Sequence, residues 1–226
     1  MSGPTAKKLY LTRHAQAEHN VDEDWSIADA PLTPLGQNQS KRLNELSQGT
    51  IQKTADLLVS SPMRRPLETL LLGYPELKTR LEAEGKPVII LDILQEVNAY
   101  PCDTPSHPIS AITEWRDGLL SGFDFSSISP DYASKKGIFD PERVVERARE
   151  VRRWLRDRPE QDIVVVAHGD ILRNIADGKR SGRPWANAEV KVFTFVSESD
   201  EDASLVEIGE VAPVNASEDP TSSGVA

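Results

Sequence analysis

The stretch LYLTRHAQAEHN, residues Leu9 to Asn20, joins a short apolar run to a group of polar side chains. The apolar residues are typical of a buried β-strand, predicted over 7–12, and Arg13 and His14 follow directly at its end. Similar apolar runs, each bounded by polar or turn residues, occur at 56–60, 87–94 and 162–167. Together the runs predict four buried strands of a parallel sheet.

Helical patterns separate and follow the predicted strands. They cover 33–48, 64–82, 107–120, 140–158 and 169–178. Thr33 is the expected N-cap of the first helix, because Pro34 fits the first turn that follows it. The pattern in 140–158 is the clearest, since apolar residues share one face and charges lie opposite. That apolar face consists of Val144, Val145, Ala148, Val151, Trp154 and Leu155.

The alternation of strands and helices predicts the fold class. It indicates an α/β fold of three layers, in which helices cover both faces of a doubly wound, mostly parallel sheet. Two late runs, at 190–197 and 203–211, alternate or nearly alternate in hydrophobicity, and we expect them to add edge strands. The segment 97–139, called the excursion below, is rich in Pro, Gly and Ser, and we expect it to pass over the sheet.

Length and composition favour a single domain. A chain of 226 residues, of which 38% are hydrophobic, is long enough for one large α/β domain. We expect that domain to span 1–211. The residues at 212–226 are polar and rich in Pro and Ser, so a disordered acidic tail is predicted there.

Charge and cysteine content restrict the partners and the compartment. The net charge of −10 argues against nucleic acid as a partner. Eight acidic residues lie from Ser197 onward without any Lys or Arg, so the preceding part carries only about −2 and does not exclude a small anionic substrate. No apolar stretch reaches the length of a signal peptide or a membrane span. With a single cysteine, Cys102, these features predict a cytoplasmic protein without a membrane partner.

Polar side chains follow all four predicted parallel strands. Arg13 and His14 follow the first strand, Arg64 and Arg65 the second, Glu96 the third and His168 the fourth. In an open parallel sheet, ligands bind outside the carboxyl ends of the strands. We therefore expect these side chains to meet at one edge of the sheet.

The residue types at that edge fit phosphoryl transfer. Guanidinium groups bind phosphoryl oxygens in pairs, while Asn20 and the start of the helix at Gly169 can add further donors. A neutral histidine among them can act as a nucleophile, and a carboxylic acid can protonate the leaving oxygen. The arrangement predicts a phosphohistidine intermediate stabilised by an anion cradle.

Four motifs in this order, LTRHAQAEHN, SSPMRRPLET, LQE and VVVAHGDILR, resemble those of the histidine phosphatase superfamily, the branch that includes phosphoglycerate mutases and many phosphomonoesterases. The resemblance covers about residues 7–197. It implies a phosphoglycerate mutase-like fold and a phosphoric monoester hydrolase that uses neither metal nor cofactor and acts on a small-molecule phosphomonoester. His14 would be the nucleophile and Glu96 the proton donor. The phosphoryl group would be held by Arg13, Asn20, Arg65 and His168.

Three departures from the common motifs stand out. Ala15 replaces a glycine near the phosphate, which restricts the backbone slightly, and Pro66 replaces a small residue in what should be the first turn of a helix. After Glu96, the sequence VNAYPCDT differs from phosphoglycerate mutases and is similar to a phosphatase-type subgroup of fungi and plants. That difference favours hydrolysis over phosphoryl transfer to a second substrate.

Other residues near the motifs have simpler interpretations. We expect His19 and His107 to be exposed loop residues and Arg64 to be no phosphate ligand. Asp103 and Cys102 can line the pocket or merely form a turn at Pro101. The residues at 115–120 are expected to be the apolar face of a lid helix above the site, or to contact the non-phosphate part of a substrate.

Several other functions fit parts of the sequence. A phosphoglycerate-type mutase would use the same histidine after priming by a bisphosphorylated compound. A metalloenzyme could use His14, His168 and a carboxylate, although two arginines would repel the ion. A non-catalytic binding module would keep the anion cradle without catalysing a reaction. The fold could also have been recruited for a non-phosphate substrate. The sequence leaves the leaving group and the oligomeric state open.

Overall fold

The computed structural model describes residues 4–178 and 184–211, so the tail predicted at 212–226 lies outside the described residues. The strands are β1 Lys8–Arg13, β2 Leu57–Ser60, β3 Ile89–Ile90, β4 Asp162–Ala167, β5 Val190–Phe195 and β6 Leu205–Val211. The helices are α1 Glu18–Val21, α2 Pro34–Ser47, α3 Ile51–Thr54, α4 Arg64–Gly73, α5 Pro75–Ala83, α6 Ser110–Thr113, α7 Trp115–Gly118, α8 Val144–Asp157 and α9 Gly169–Asp177. None of these helices is both long and apolar enough to cross a membrane.

The strands form one mixed sheet in the order β3-β2-β4-β1-β5-β6. Strands β1 to β4 are parallel, whereas β5 runs antiparallel to both β1 and β6. This confirms the predicted α/β fold with a mostly parallel sheet. The expectation that both late runs form edge strands is wrong for β5, because β1 occupies its second side.

Alternate residues of the strands point to two different layers of core. Val164 and Val166 of β4 pack with the apolar residues of α2, α4 and α5 and of the excursion. Ile163 and Val165 of the same strand pack with those of α8 and α9. Side chains of a strand alternate between the faces of a sheet, so the helices cover both faces and the predicted three layers are present.

Helix α2 begins where its sequence predicts. The Thr33 hydroxyl accepts a hydrogen bond from the Gly36 amide at 3.0 Å, and Pro34 occupies the first turn. Gly36 itself lies directly against the chain that leaves β1, because a Cβ atom there would stand 2.0 Å from the Gln16 carbonyl oxygen. This close approach fixes the start of α2 beside the end of β1.

Three of the predicted elements are shorter than expected. The helix expected at 64–82 divides at Tyr74 into α4 and α5, since Pro75 has no amide with which to continue α4. The strand expected at 87–94 is reduced to Ile89–Ile90, followed by a 3₁₀ turn at Asp92–Leu94. The helix expected at 107–120 consists of the single turns α6 and α7, because Arg116 and Asp117 adopt positive φ values of 47° and 56°.

Helix α8 follows its predicted amphipathic pattern except at Val145 and at two arginines. Val145, assigned to the apolar face, is 50% exposed, whereas Arg147 and Arg152 are buried. Both arginines donate to backbone carbonyl groups of neighbouring segments, Arg147 to Glu96 and Arg152 to Asp202. Ala148, Val151 and Leu155 are fully buried and Val144 and Trp154 pack against the same core, as predicted. Hydrogen bonding of the guanidinium groups allows the two arginines to be buried as well, which hydrophobicity alone does not predict.

Candidate active site

His14 follows the last residue of β1 and is almost completely buried. Its backbone amide donates to the Ala167 carbonyl at the end of β4, 2.9 Å away, which fixes the residue between the two central strands. In its ring, Nδ1 lies 2.7 Å from the Ala15 carbonyl oxygen, and Nε2 lies 3.1 Å from Nε of Arg65. A carbonyl oxygen only accepts, so Nδ1 carries the proton and Nε2 keeps a lone pair.

The surroundings of His14 favour the neutral ring. Burial, followed by the nearby charges of Arg65 and Arg13, holds the pKa of His14 well below its usual value of 6.5. The ring is therefore uncharged at neutral pH. The Nε2 lone pair accepts the hydrogen bond from Nε of Arg65, and an uncharged imidazole with an unprotonated Nε2 is the form required of a nucleophile.

Two buried arginines flank the His14 ring. Arg65, in the first turn of α4, donates from Nη1 to the Cys102 carbonyl at 2.6 Å, while its Nη2 lies 3.4 Å from a carboxylate oxygen of Asp103. Arg13 donates from Nη1 to the Trp185 carbonyl. A Cβ atom on Gly169 would lie 3.4 Å from Nε of Arg13, so this glycine allows the guanidinium to approach the start of α9.

His168 caps α9 and faces His14 across the ends of β1 and β4. The two ring centroids are 5.2 Å apart. Nε2 of His168 lies 2.8 Å from the Ser61 hydroxyl, while Nδ1 is buried without a partner among the described residues. Burial, followed by the charge of Arg65, holds the pKa of His168 well below 6.5, so this ring is neutral as well.

Asn20 and His19 complete this side of the site. The Asn20 carbonyl oxygen accepts from the Ala17 amide at 2.9 Å, and its Nδ2 lies 2.9 Å from Nε2 of His19. His19 is 3% exposed, and its ring centroid is 6.0 Å from that of His14. The expectation of an exposed His19 is therefore wrong, whereas His107 is exposed as predicted.

His19 could not be identified as a site residue from its sequence pattern. It belongs to a helix of four residues, which is too short to show an apolar face. Its burial follows from the path of the chain after β1, which returns toward the arginines. Burial and the charges of Arg65 and Arg13 lower the pKa of His19 to about 2, so a third neutral imidazole lies beside the cradle.

Glu96 is buried beside the first turn of α9. Its carboxylate accepts hydrogen bonds from the amides of Val97 at 2.9 Å, Ile171 at 3.1 Å and Asp170 at 3.3 Å. The sequence predicted that donors at this helix start would bind phosphate, but two of them bind Glu96 instead. Burial, followed by the charges of Asp170 and Asp103, raises the pKa of Glu96 to about 7, which suits a group that gives and takes a proton near neutrality.

The beginning of the excursion contributes Cys102 and Asp103 to the site. The structure combines the two interpretations left open by the sequence: Pro101–Asp103 forms a 3₁₀ turn, and this turn places Cys102 and Asp103 in the buried layer around Arg65. Burial raises the pKa of the Cys102 thiol to about 12, so it is not a thiolate nucleophile. Arg64 instead donates to the Ala111 carbonyl at 2.8 Å, as expected of a residue outside the cradle.

The structure therefore brings the predicted site residues together, with Glu96 next to a group formed by the others. His14, Arg13, Arg65, His168 and Asn20 surround the ends of β1 and β4, and Glu96 joins them through α9. The substituted Ala15 is accommodated, since its amide donates to the Thr69 hydroxyl, and Pro66 lies in the first turn of α4 as expected. Within 4–178 and 184–211, no cluster of His, Cys, Asp and Glu is suited to hold a metal ion.

Comparisons with known proteins agree with these motifs and this fold. A protein of Schizosaccharomyces pombe named "Probable phosphatase" is 27% identical over 173 residues, which cover 74% of this chain and 76% of that protein. A "Phosphoglycerate mutase-like protein" of Arabidopsis thaliana is 27% identical over 202 residues, covering 75% of this chain and 73% of that one. The crystal structure of the alpha-ribazole phosphatase from Shigella flexneri shares the fold, with a TM-score of 0.56, 18% identity and coverage of 91% and 96%.

The family model for the histidine phosphatase superfamily (branch 1) matches residues 9–189, which include every residue of the cradle. The chain therefore belongs to branch 1 of the histidine phosphatase superfamily, and this confirms the superfamily and the phosphatase class predicted from its motifs.

Proposed function

We propose that the protein is a metal-independent phosphomonoester hydrolase that works through a phosphohistidine on His14, with Glu96 as proton donor. The observation that carries this proposal is the hydrogen bonding of the His14 ring. Its Nδ1 proton is engaged by the Ala15 carbonyl, and its Nε2 lone pair accepts a hydrogen bond from Nε of Arg65. A phosphoryl oxygen that takes over this Arg65 donor would bring phosphorus to the lone pair.

In the first step, the His14 Nε2 lone pair forms a bond to phosphorus while the bond from phosphorus to the ester oxygen breaks. The carboxylic acid of Glu96 gives its proton to the departing oxygen, so an alcohol leaves and Glu96 becomes a carboxylate. Arg13 and Arg65 balance the charge on the transferring oxygens, with Asn20 and His168 as further ligands. The neutral state of His14, favoured by its burial, is the state from which this attack is possible.

In the second step, the Glu96 carboxylate removes a proton from water as the water oxygen bonds to phosphorus. The bond from phosphorus to Nε2 breaks, inorganic phosphate leaves, and both residues return to their starting states. The same carboxyl group thus acts first as acid and then as base, which requires a pKa near the working pH. The pKa of about 7 that burial gives to Glu96 fits this double role.

The substrate of this proposal is a small-molecule phosphomonoester, and the excursion at 97–139 is the segment of the single catalytic domain that would contact its alcohol part. Its first residues already reach Arg65 through Cys102 and Asp103. Cys102 is a free buried thiol, which fits the reducing cytoplasm.

The test is to mix the protein with a ³²P-labelled phosphomonoester in the absence of metal, quench it rapidly, and locate the label. We expect an acid-labile, base-stable label on His14 and release of inorganic phosphate. His14→Ala should lose both label and turnover, while the exposed control His107→Ala should keep them. No label and no turnover on any ester, from a folded protein, would reject the proposal. Transfer of the label to a second phosphorylated substrate would indicate a mutase instead.

A further inference from the structure

The backbone carbonyl of Glu96 accepts hydrogen bonds from two cations. Nζ of Lys135 donates to it at 2.7 Å, and Nη2 of Arg147 donates at 3.3 Å. Arg147 comes from the first turn of α8, whereas Lys135 comes from the last part of the excursion. A carbonyl oxygen has two lone pairs, so these two basic side chains together fill its capacity to accept hydrogen bonds.

The excursion is fastened to this same point by a second contact. The Tyr132 carbonyl accepts a hydrogen bond from Nε2 of Gln95 at 2.7 Å, and Gln95 immediately precedes Glu96. Lys135 holds a positive φ of 52°, an uncommon conformation for a side-chain-bearing residue, which the surrounding contacts must stabilise. Residues 132–135 thus bind both Gln95 and the backbone of Glu96.

Glu96 is therefore held at both ends. Its carboxylate accepts amides from the start of α9, while its carbonyl accepts Lys135 and Arg147. The charged groups that act on Glu96 are Asp170, Asp103 and Arg65. Those that act on Lys135 are Arg147, Asp103, Glu96 and Arg65. The positive charges of Lys135 and Arg65 offset the repulsion between the Glu96 carboxylate and the carboxylates of Asp103 and Asp170. Burial and the proximity of Arg147 lower the pKa of Lys135 to about 7.

We propose that Lys135 is a positioning residue for proton transfer, by which the excursion holds Glu96 in place to protonate the leaving alcohol. This inference rests on the proposed function of Glu96. Lys135 itself transfers no proton, since its described hydrogen bond goes to a backbone carbonyl. Replacing Lys135 should therefore slow hydrolysis of esters whose leaving group needs a proton from Glu96. Hydrolysis of esters whose leaving group needs no proton should be little affected.

The test compares two esters that differ in their need for a proton. The leaving group of 2-phenylethyl phosphate is an alcohol that must be protonated, whereas 4-nitrophenyl phosphate releases a stable phenolate. For Lys135→Met we expect kcat/KM on the alkyl ester to fall about 10-fold or more and on the aryl ester less than about 3-fold. Lys135→Arg should restore most of the alkyl activity. Lys136→Met, which removes the neighbouring exposed lysine, is the matched control and should match the wild type.

The pH profile supplies a second readout. Lys135 is partly charged near neutrality, so in Lys135→Met the Glu96 carboxylate faces Asp103 and Asp170 with less compensation and the alkaline limb of kcat/KM should move to higher pH. Equal losses on both esters, or no loss on either, would overturn the inference while leaving the hydrolase proposal intact. If the wild type turned over neither ester, the proposed function itself would have failed.

Discussion

At the scale of single residues, the site depends on burying ionisable groups until their charge states change. His14, His19 and His168 are all nearly inaccessible and lie close to arginines, so the pKa of each is lowered and each ring is neutral. Glu96 undergoes the opposite shift, because burial favours the protonated carboxyl group. Burial thus keeps the three rings neutral and brings the pKa of Glu96 to about 7, and these are the charge states that the proposed phosphohistidine mechanism needs.

The role of Glu96 can be tested by its pH dependence. For an alkyl phosphate, kcat/KM should fall as the pH rises through about 7, because Glu96 then loses the proton it must donate. Glu96→Gln should lower kcat/KM by ~10²-fold or more and abolish that fall. The matched control is Glu68→Gln, since burial also raises the pKa of Glu68 to about 7, yet Glu68 binds the Leu32 amide and Arg116. Loss of the alkaline limb in the Glu68 variant alone would refute the assignment.

The lowered pKa of His19 predicts how the free energy of unfolding depends on pH. Its pKa in the folded protein, about 2, lies below the value of 6.5 expected after unfolding, so the unfolded chain takes up a proton as the pH falls below 6.5. The wild type should therefore lose ~1.4 kcal/mol per pH unit that His19→Gln does not lose. Urea denaturation at several pH values between 6.5 and 4.5 would measure the two slopes. The exposed control His107→Gln should run parallel to the wild type, and parallel slopes for His19→Gln would contradict the prediction.

At the scale of elements, the sequence predicts regular segments well and contact-determined ones poorly. Strand β1, the Thr33 cap and α9 follow from local pattern, and the polar residues after each strand indicate the edge where they meet. The excursion carries no such periodicity, because Arg116 and Asp117 interrupt its helix and its packing is long-range. The burial of His19 and Arg147 likewise depends on partners distant in sequence, which hydrophobic pattern does not reveal.

The junction of β1 and α2 depends on one glycine. In Gly36→Ala the added methyl group would collide with the Gln16 backbone at 2.0 Å, and backbone atoms cannot move aside as a flexible side chain does. We expect a loss of at least ~2 kcal/mol in the free energy of unfolding, measured by chemical denaturation. Gly49→Ala is the matched control, because a Cβ atom there meets nothing within 4 Å. A stable Gly36→Ala protein would mean that α2 can shift away from β1.

At the scale of the whole molecule, Asp29 joins three separated parts of the chain. Its carboxylate accepts the Arg64 amide at the start of α4 and the Ser106 amide of the excursion, each at 3.0 Å. The residue itself lies in the segment between α1 and α2 and is buried. The walls on either side of the phosphate cradle are thereby tied to one carboxyl group.

Asp29→Asn keeps the size of this side chain but turns one acceptor into a donor that faces an amide. We expect a loss of ~1–3 kcal/mol in stability and faster tryptic cleavage at Arg116, Lys135 or Lys136 in the excursion. Asp24→Asn, in the same segment but bonded only to the exposed Ser26, is the control and should leave the cleavage pattern unchanged. Cleavage at the wild-type rate in the Asp29 variant would show that the excursion is held by its other contacts.

If His14 is phosphorylated as proposed, the hydrogen bond from its Nδ1 to the Ala15 carbonyl determines which isomer forms. With that nitrogen occupied, phosphorus can join only the far nitrogen of the ring, which gives the tele isomer rather than the pros isomer. The two isomers are distinguishable by ³¹P NMR and by isomer-selective antibodies, so the trapped protein should react with only one class of reagent. A mixture of isomers would reveal that the ring turns over during the catalytic cycle.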